Sequence, residues 1–338
     1  MPTIVDVAKR AGVSIATVSN VIRNTARVSP ALRERVAAAI EDLQYHPNEI
    51  ARSLKVRQTC MIAMVQPDIT NPFFPEIIRG AEDKAFECGY LLLTANTDEQ
   101  IARERQVFAA LRSRRVDGIL LAPASGENST HIQQAIDAGI AVVCVDRAVP
   151  SVKTDAVLLN NARGSLECLR HMIQAGYKDI AIITGDLKLQ TAKERLQGYK
   201  QALREADRKV QDSLIFEGDF RQESGYRLAK QLLLRVKRPS AIFVCNGVMT
   251  LGVLKAFEEL GIRCPDDIGL ATFDDFMEEM AFHPHLTTVV QPSYEIGRRA
   301  ATMLIERVEG KLTGKPLTIR VAPNLIPRQT TNRPKSER

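Results

Sequence analysis

Ten polar and aromatic residues, far apart in the chain, stand close behind short apolar runs that read as β-strands. Asn71, Phe73 and Phe74 follow MIAMV (61–65), Asp146 and Arg147 follow VVCV (142–145), and Asn246 follows AIFV (241–244). Asp274 follows IGLAT (268–272) and Gln291 follows TTVV, while Arg195 opens a helix after IAII (180–183) and Phe220 follows a further short strand. In open parallel sheets ligands gather at the carboxyl ends of strands, so these ten are placed to meet in one site. Together they offer ring faces for the apolar side of a pyranose or furanose. They also offer carboxylates, guanidinium and amides for strong paired bonds to hydroxyls. The chemistry they suit is the holding of a small sugar, sugar acid or related polyol, with no cofactor expected.

A second chemistry sits at the N-terminus, where VDVAKRAGVSIATVSNVI (5–22) reads as two short helices joined by a tight turn. Ile4, Val7, Ala8 and Ala11 recur at helical spacing and face inward, leaving Lys9 and Arg10 outside. Thr3 can cap this helix with Asp6 reaching back, and Gly12 can end it in the left-handed region. Ser14 caps the second helix, Val18, Val21 and Ile22 form its buried face, and Ile15, Ala16, Ser19 and Asn20 form the other. In a major groove, methyl groups suit thymine and an amide suits adenine. A plain helical hairpin within a bundle would carry the same periodicity, so this stretch alone leaves both open.

A third helix follows, with Ser29 as N-cap, Pro30 at its first position and an apolar stripe of Leu32, Val36, Ala39, Ile40 and Leu43. From 47 to 58 a hinge and linker are expected. Asn48 could cap a helix there bearing Ile50, Ala51 and Leu54, too short to stand alone in water.

From Met61 onward, apolar runs alternate with amphipathic helices, and LLLTA (91–95) and ILLA (119–122) complete the strand-like set. Four helices end alike, at Gly89-Tyr90, Gly139-Ile140, Gly176-Tyr177 and Gly261-Ile262. Such alternation implies parallel sheets covered on both faces. The expected fold is an all-α headpiece (2–46) followed by a two-lobed α/β core with parallel sheets (59–328). Lobe 1 would hold about 59–160 and 292–322, and lobe 2 about 161–291 and 323–328. The helix at Ser293 to Val308 and the strand at Leu317 to Val321 would return to lobe 1, and 329–338 would form a flexible tail.

The composition is that of a soluble chain: 338 residues, 45% hydrophobic, 25% charged, net charge +6. Residues 1 to 58 hold nine Lys and Arg against five Asp and Glu, so positive charge gathers at the end that would meet phosphates. No apolar run approaches the roughly 20 residues of a membrane span, and no signal-peptide layout opens the chain, so no membrane partner and a cytoplasmic location are expected.

Catalysis finds little support. Asp274-Asp275 is a candidate acid–base pair, yet neighbouring strand residues point to opposite faces. His283 and His285 flank Pro284 without a third residue at metal-ligand spacing, and the six cysteines lie far apart with no CxxC. Neither GxGxxG, GxxxxGK[ST] nor GxSxG occurs, so no metal and no catalytic residue is assigned. A sugar-processing enzyme, or a plain sugar-binding protein with an accessory helical domain, is the alternative class.

VSIATVSNVI, RVSPALRERV and YHPNEIARSL, in that order, resemble the DNA-binding headpiece and hinge of the lac repressor (LacI/GalR) family. The resemblance implies a periplasmic-binding-protein-like core and a homodimer reading a near-palindromic operator under the control of a small effector. It places Ile15, Ala16 and Asn20 at base edges, Thr17 and Ser19 near phosphates, and Leu54 as a minor-groove wedge beside Ala51. Thr3, Ser14, Asn24 and Lys55 complete the implied DNA-contacting set. The ten strand-end residues match those by which this family and related periplasmic proteins hold sugars. Gly247 replaces the Asp that most relatives carry after the residue matching Asn246, and Leu189 lies in a region where one group of relatives has arginine.

Overall fold

A computed structural model describes residues 2–22, 28–45, 58–126, 129–274 and 284–332. Asn24, Ala51, Leu54, Lys55, Asp275 and His283 lie outside the described residues, as do residues 47 to 57 of the hinge and linker expected at 47 to 58. The chain divides into two units, Met1–Thr59 and Cys60–Arg338.

The first unit contains helices α1 (Ile4–Ala11), α2 (Ile15–Ile22) and α3 (Pro30–Asp42). Val7, Ala8, Ala11, Val18, Val36 and Ala39 form its small core together with Tyr45, which the helical patterns did not include. At the start of α1, the Asp6 carboxylate accepts from the Thr3 backbone N–H at 2.8 Å, a bond that holds this carboxyl below its usual range. Gly12 adopts φ 61°, and Arg35 of α3 donates to the freed Ala11 carbonyl at 2.6 Å, pinning the end of α1 to α3. Ser14 caps α2 by accepting from Thr17 N–H at 3.1 Å. Ser29 occupies the cap position of α3 but makes no side-chain capping bond; Pro30 instead removes one donor from that helix end.

The second unit is built on two six-stranded sheets. The first contains β1 (Met61–Gln66), β2 (Leu91–Asn96), β3 (Gly118–Leu121), β4 (Ala141–Asp146), β5 (Asp155–Leu159) and β11 (Thr318–Val321). Its order is β11-β5-β4-β3-β1-β2, with every pairing parallel. The second contains β6 (Ile180–Thr184), β7 (Ile215–Glu217), β8 (Ala241–Val244), β9 (Gly269–Phe273), β10 (Thr287–Val290) and β12 (Asn324–Ile326). Its order is β12-β10-β9-β8-β6-β7, with only the β10–β12 pair antiparallel. Helices α4 (Phe73–Glu87), α5 (Ile101–Ser113), α6 (Thr130–Asp137) and α11 (Ser293–Val308) pack with the first sheet. Helices α7 (Asn161–Gln174), α8 (Gln190–Glu205), α9 (Gln222–Leu233) and α10 (Gly247–Leu260) belong with the second. Helix α11 returns to lie along α4, so the chain passes between the sheets three times: before α7, before α11 and before β12.

The four glycines that end helices in the sequence pattern all have positive φ, from 64° to 92°. Two strands escaped the apolar pattern. β5 begins with Asp155, a carboxylate buried in the sheet because Arg307 of α11 clamps both its oxygens, at 2.7 and 2.9 Å. β12 is only three residues long. The tail expected to be flexible from 329 is instead ordered through Thr331: Thr330 and Thr331 are buried, and both bond to Thr287.

Because Asp155 would be left buried with only the Leu317 N–H to donate to it, at 2.7 Å, Arg307→Ala is expected to cost about 3 kcal/mol. Urea unfolding followed by circular dichroism measures it; a midpoint unchanged from the native chain would show that the pair contributes little.

Candidate functional site

All ten strand-end residues line a single cleft between the two sheets. Phe73 and Phe74 enter from the first turn of α4, their rings edge to face at 5.1 Å, and the Asn71 side chain braces the Phe73 N–H at 3.1 Å. Asp146 and Arg147 close β4, Asn246 follows β8, Asp274 follows β9 and Gln291 follows β10. Arg195 is not at the opening of its helix but in the second turn of α8. There it donates to Asn161 at 2.8 Å and to the Cys245 carbonyl, with its guanidinium 3.9 Å from the centre of the Phe273 ring.

Three of the ten, Asp146, Phe220 and Asp274, have φ between 65° and 72°, a region costly for residues with side chains. Strain of this kind is retained where the side chain must be aimed, and all three point into the cleft. Phe220 packs closely on Gly185: a β-carbon there would lie 2.0 Å from its ring.

Polar groups in the cleft fall into two sets. Asn246 directs its amide to the protein itself, capping α10 through Met249 N–H at 2.8 Å and donating to the Phe220 carbonyl at 3.2 Å. Asp274 is similarly held, accepting from Gly247 N–H at 3.2 Å and from the Gln291 amide. Gly247, at the N-terminus of α10, thus contributes a backbone donor where a side chain is missing. Other atoms are buried with no hydrogen-bond partner: Arg147 Nη1, Glu99 Oε2 and Gln291 Oε1, with Arg147 Nε held only by a 3.5 Å ion-pair contact with Asp146. Burying such atoms unpaired is costly, and here they gather around one cavity. Burial raises the Asp146 carboxyl above its ordinary value of 3.8, against the pull of Arg147 and Arg195.

Asp68, Glu99, Thr191, Asp219 and Arg221 also line the cleft and were not singled out in the sequence. Glu99 had a usable signal, since it lies three residues past β2, another strand of the same parallel sheet. Leu189 is buried and apolar, and it is absent from the lining.

On the headpiece, Ile15, Ala16 and Asn20 are exposed on one side of α2, with Thr17 and Ser19 half-buried beside them. Ser14 and Thr17 share a 2.9 Å bond between their hydroxyls, and the Thr3 hydroxyl is bonded to Asp6 at 2.7 Å. Among the described residues, no cluster of His, Cys, Asp and Glu is arranged to hold a metal, and no helix is long and apolar enough to cross a membrane.

A three-helix unit with an exposed small and amide face, ahead of a two-sheet core with a polar cleft, defines the class: a ligand-responsive transcription regulator. Residues 3–48 match the lacI family of bacterial regulatory proteins, and residues 169–331 match the periplasmic binding protein-like domain. The HTH-type transcriptional repressor PurR of Photobacterium profundum is 37% identical over 311 residues, 92% of this chain and 93% of that protein. The solved complex of the transcriptional regulator CelR with cellobiose is 30% identical, with TM-score 0.75 over 98% of this chain and 100% of that one. The lac repressor dimer bound to operator and the anti-inducer ONPF is 25% identical, with TM-score 0.85 over 98% of this chain and 99% of that one. The chain belongs to the lacI family of bacterial regulatory proteins. It is a regulator and not an enzyme, as its repressor relatives are, which sets aside the sugar-processing alternative.

The raised Asp146 carboxyl has a stability consequence. The folded state holds its proton more tightly than the unfolded state, so this group's stabilising contribution is full below pH 3.8 and is lost as pH rises through the raised value. Asp146→Asn should therefore raise the melting temperature of the ligand-free protein at pH 7, with the gain shrinking as pH falls toward 4. Thermal scans across pH check this, and a lowered melting temperature at pH 7 would contradict it.

Proposed function

We propose that the chain is a repressor that binds a near-palindromic operator as a homodimer, with operator affinity set by a small sugar or sugar-like effector in the cleft. Ile15, Ala16 and Asn20 would read base edges, with Thr3, Ser14, Thr17, Ser19 and Asn24 near the backbone. Ala51, Leu54 and Lys55 are assigned to the hinge contact by family resemblance alone. Work on DNA gives the protein a cytoplasmic setting.

The observation that carries the effector assignment is the group of unpartnered buried atoms on Arg147, Glu99 and Gln291, set beside the phenyl rings of Phe73, Phe74 and Phe220. A polyol supplies donors and acceptors for the first and an apolar ring face for the second. Support for a sugar also comes from CelR, whose structure contains cellobiose.

Closure of the two lobes around ligand would alter the dimer's geometry and so the spacing of its two headpieces. Coupling of about 1–3 kcal/mol, a 5- to 150-fold change in operator affinity, is enough to switch a promoter. Thermal-shift screening of sugars, sugar acids, sugar phosphates and nucleobases identifies the effector by the rise in melting temperature; a response to nucleobases alone would overturn the sugar assignment.

With that effector in hand, Asp274→Ala or Arg147→Ala should abolish its influence on operator binding while leaving DNA affinity in place, as read by fluorescence anisotropy. A variant that still responds normally places the site elsewhere. Operator affinity itself should fall linearly and steeply on a log–log plot against salt, and a flat response would exclude phosphate-driven binding.

A further inference from the structure

The cleft's charge is unequally divided. Among the described lining residues there are five carboxylates, on Asp68, Glu99, Asp146, Asp219 and Asp274, against three guanidiniums, on Arg147, Arg195 and Arg221. Arg221 is exposed at the rim, and the buried cations are already engaged. Arg147 is bonded to Glu99 at 2.8 Å and lies 3.5 Å from Asp146, while Arg195 donates to Asn161 and to a main-chain carbonyl. Among the described residues, neither Lys nor His lines the cleft.

We infer that the site accepts only an uncharged polyhydroxylated ligand and rejects its phosphate ester and carboxylate forms, and that Glu99 is the residue that sets this specificity. The inference rests on the sugar assignment above and narrows it. Arg147 Nη1 is buried without a partner and Nε has only its 3.5 Å ion-pair contact with Asp146, so the guanidinium still donates to a ligand oxygen, but Glu99 and Asp146 cancel its charge. A hydroxyl satisfies those donors without adding charge. A phosphate or carboxylate would bring negative charge beside Asp146, Asp274 and Glu99 in a site shielded from water, where like charges repel strongly. Glu99 itself adopts φ 57°, and its second oxygen is buried without a partner, so its carboxylate is aimed at the same space.

This places the effector in a reaction sequence by its chemistry. Phosphorylation of a hydroxyl, or oxidation of the aldehyde to an acid, converts the ligand into a form the cleft refuses. The signal is the free sugar ahead of its phosphorylating or oxidising enzyme, and that enzyme's turnover ends the response.

The test is calorimetric titration of the full-length protein with ribose, glucose and fructose, and with the phosphate ester and, for the aldoses, the aldonate of each. At least one neutral sugar should bind, and its anionic forms should bind roughly 100-fold more weakly or not at all. Glu99→Gln should reduce the neutral-to-anionic preference by about tenfold, while Glu99→Asp retains it. A merely structural role for Glu99 would weaken both ligand forms equally and leave the ratio unmoved. Equal or tighter binding of an anionic form by the native protein overturns the inference while preserving the sugar assignment, and so does an unchanged ratio in Glu99→Gln. Binding of none of the panel overturns the sugar assignment itself, and this inference with it.

Discussion

The core depends on a constraint of chain connectivity. Its two sheets are joined by three crossings of one or two residues each, between β5 and α7, β10 and α11, and β11 and β12. Connectors this short keep the carboxyl ends of the two sheets turned toward one cleft, yet a few backbone torsions in each suffice for hinge motion. The cleft's polar groups are wired into the same crossings. Gln291 sits in the second and bonds Asp274, and Asn161, at the first, bonds Arg195. Any movement of the hinge is therefore felt at the ligand-facing side chains.

The strand ends were legible because a parallel sheet leaves two simple marks: a continuous apolar run, then the polar residue where the chain leaves the sheet. Every one of the ten candidates chosen on that rule lines the cleft. What escaped was what depends on partners distant in sequence. Asp155 looks unsuited to a buried strand until Arg307, more than 150 residues later, neutralises it. Glu99 follows the end of β2, where the same rule applies, but only its bond to Arg147 shows its place in the cleft. Arg195 was recognised, but helix phase rather than proximity to a strand end decides its position. In the headpiece, helical periodicity defined the core, while Tyr45 joined it from just beyond α3, where periodicity no longer applies.

The two units solve different problems of stability. Among the described residues the headpiece has a core of seven buried residues, and it relies on local devices: the Asp6 return to Thr3, the Ser14 cap, and the clamp of Arg35 on the end of α1. The core has ample apolar material and gives up some of its stability at the cleft, to left-handed backbone at four lining residues, to the raised carboxyl of Asp146 and to unpaired polar atoms. Binding of a complementary ligand would relieve the last two, so affinity and relief of strain draw on the same groups.

Helix α8 carries one further implication. Besides Arg195 it bears Gln190, which accepts from Ala148 N–H beyond β4 at 3.0 Å, and Glu194, which pairs with Arg320 of β11 at 3.2 Å. One face of this helix thus fastens the second lobe to the first at two points, beyond β4 and on β11. Separating the two lobes would break both of these contacts.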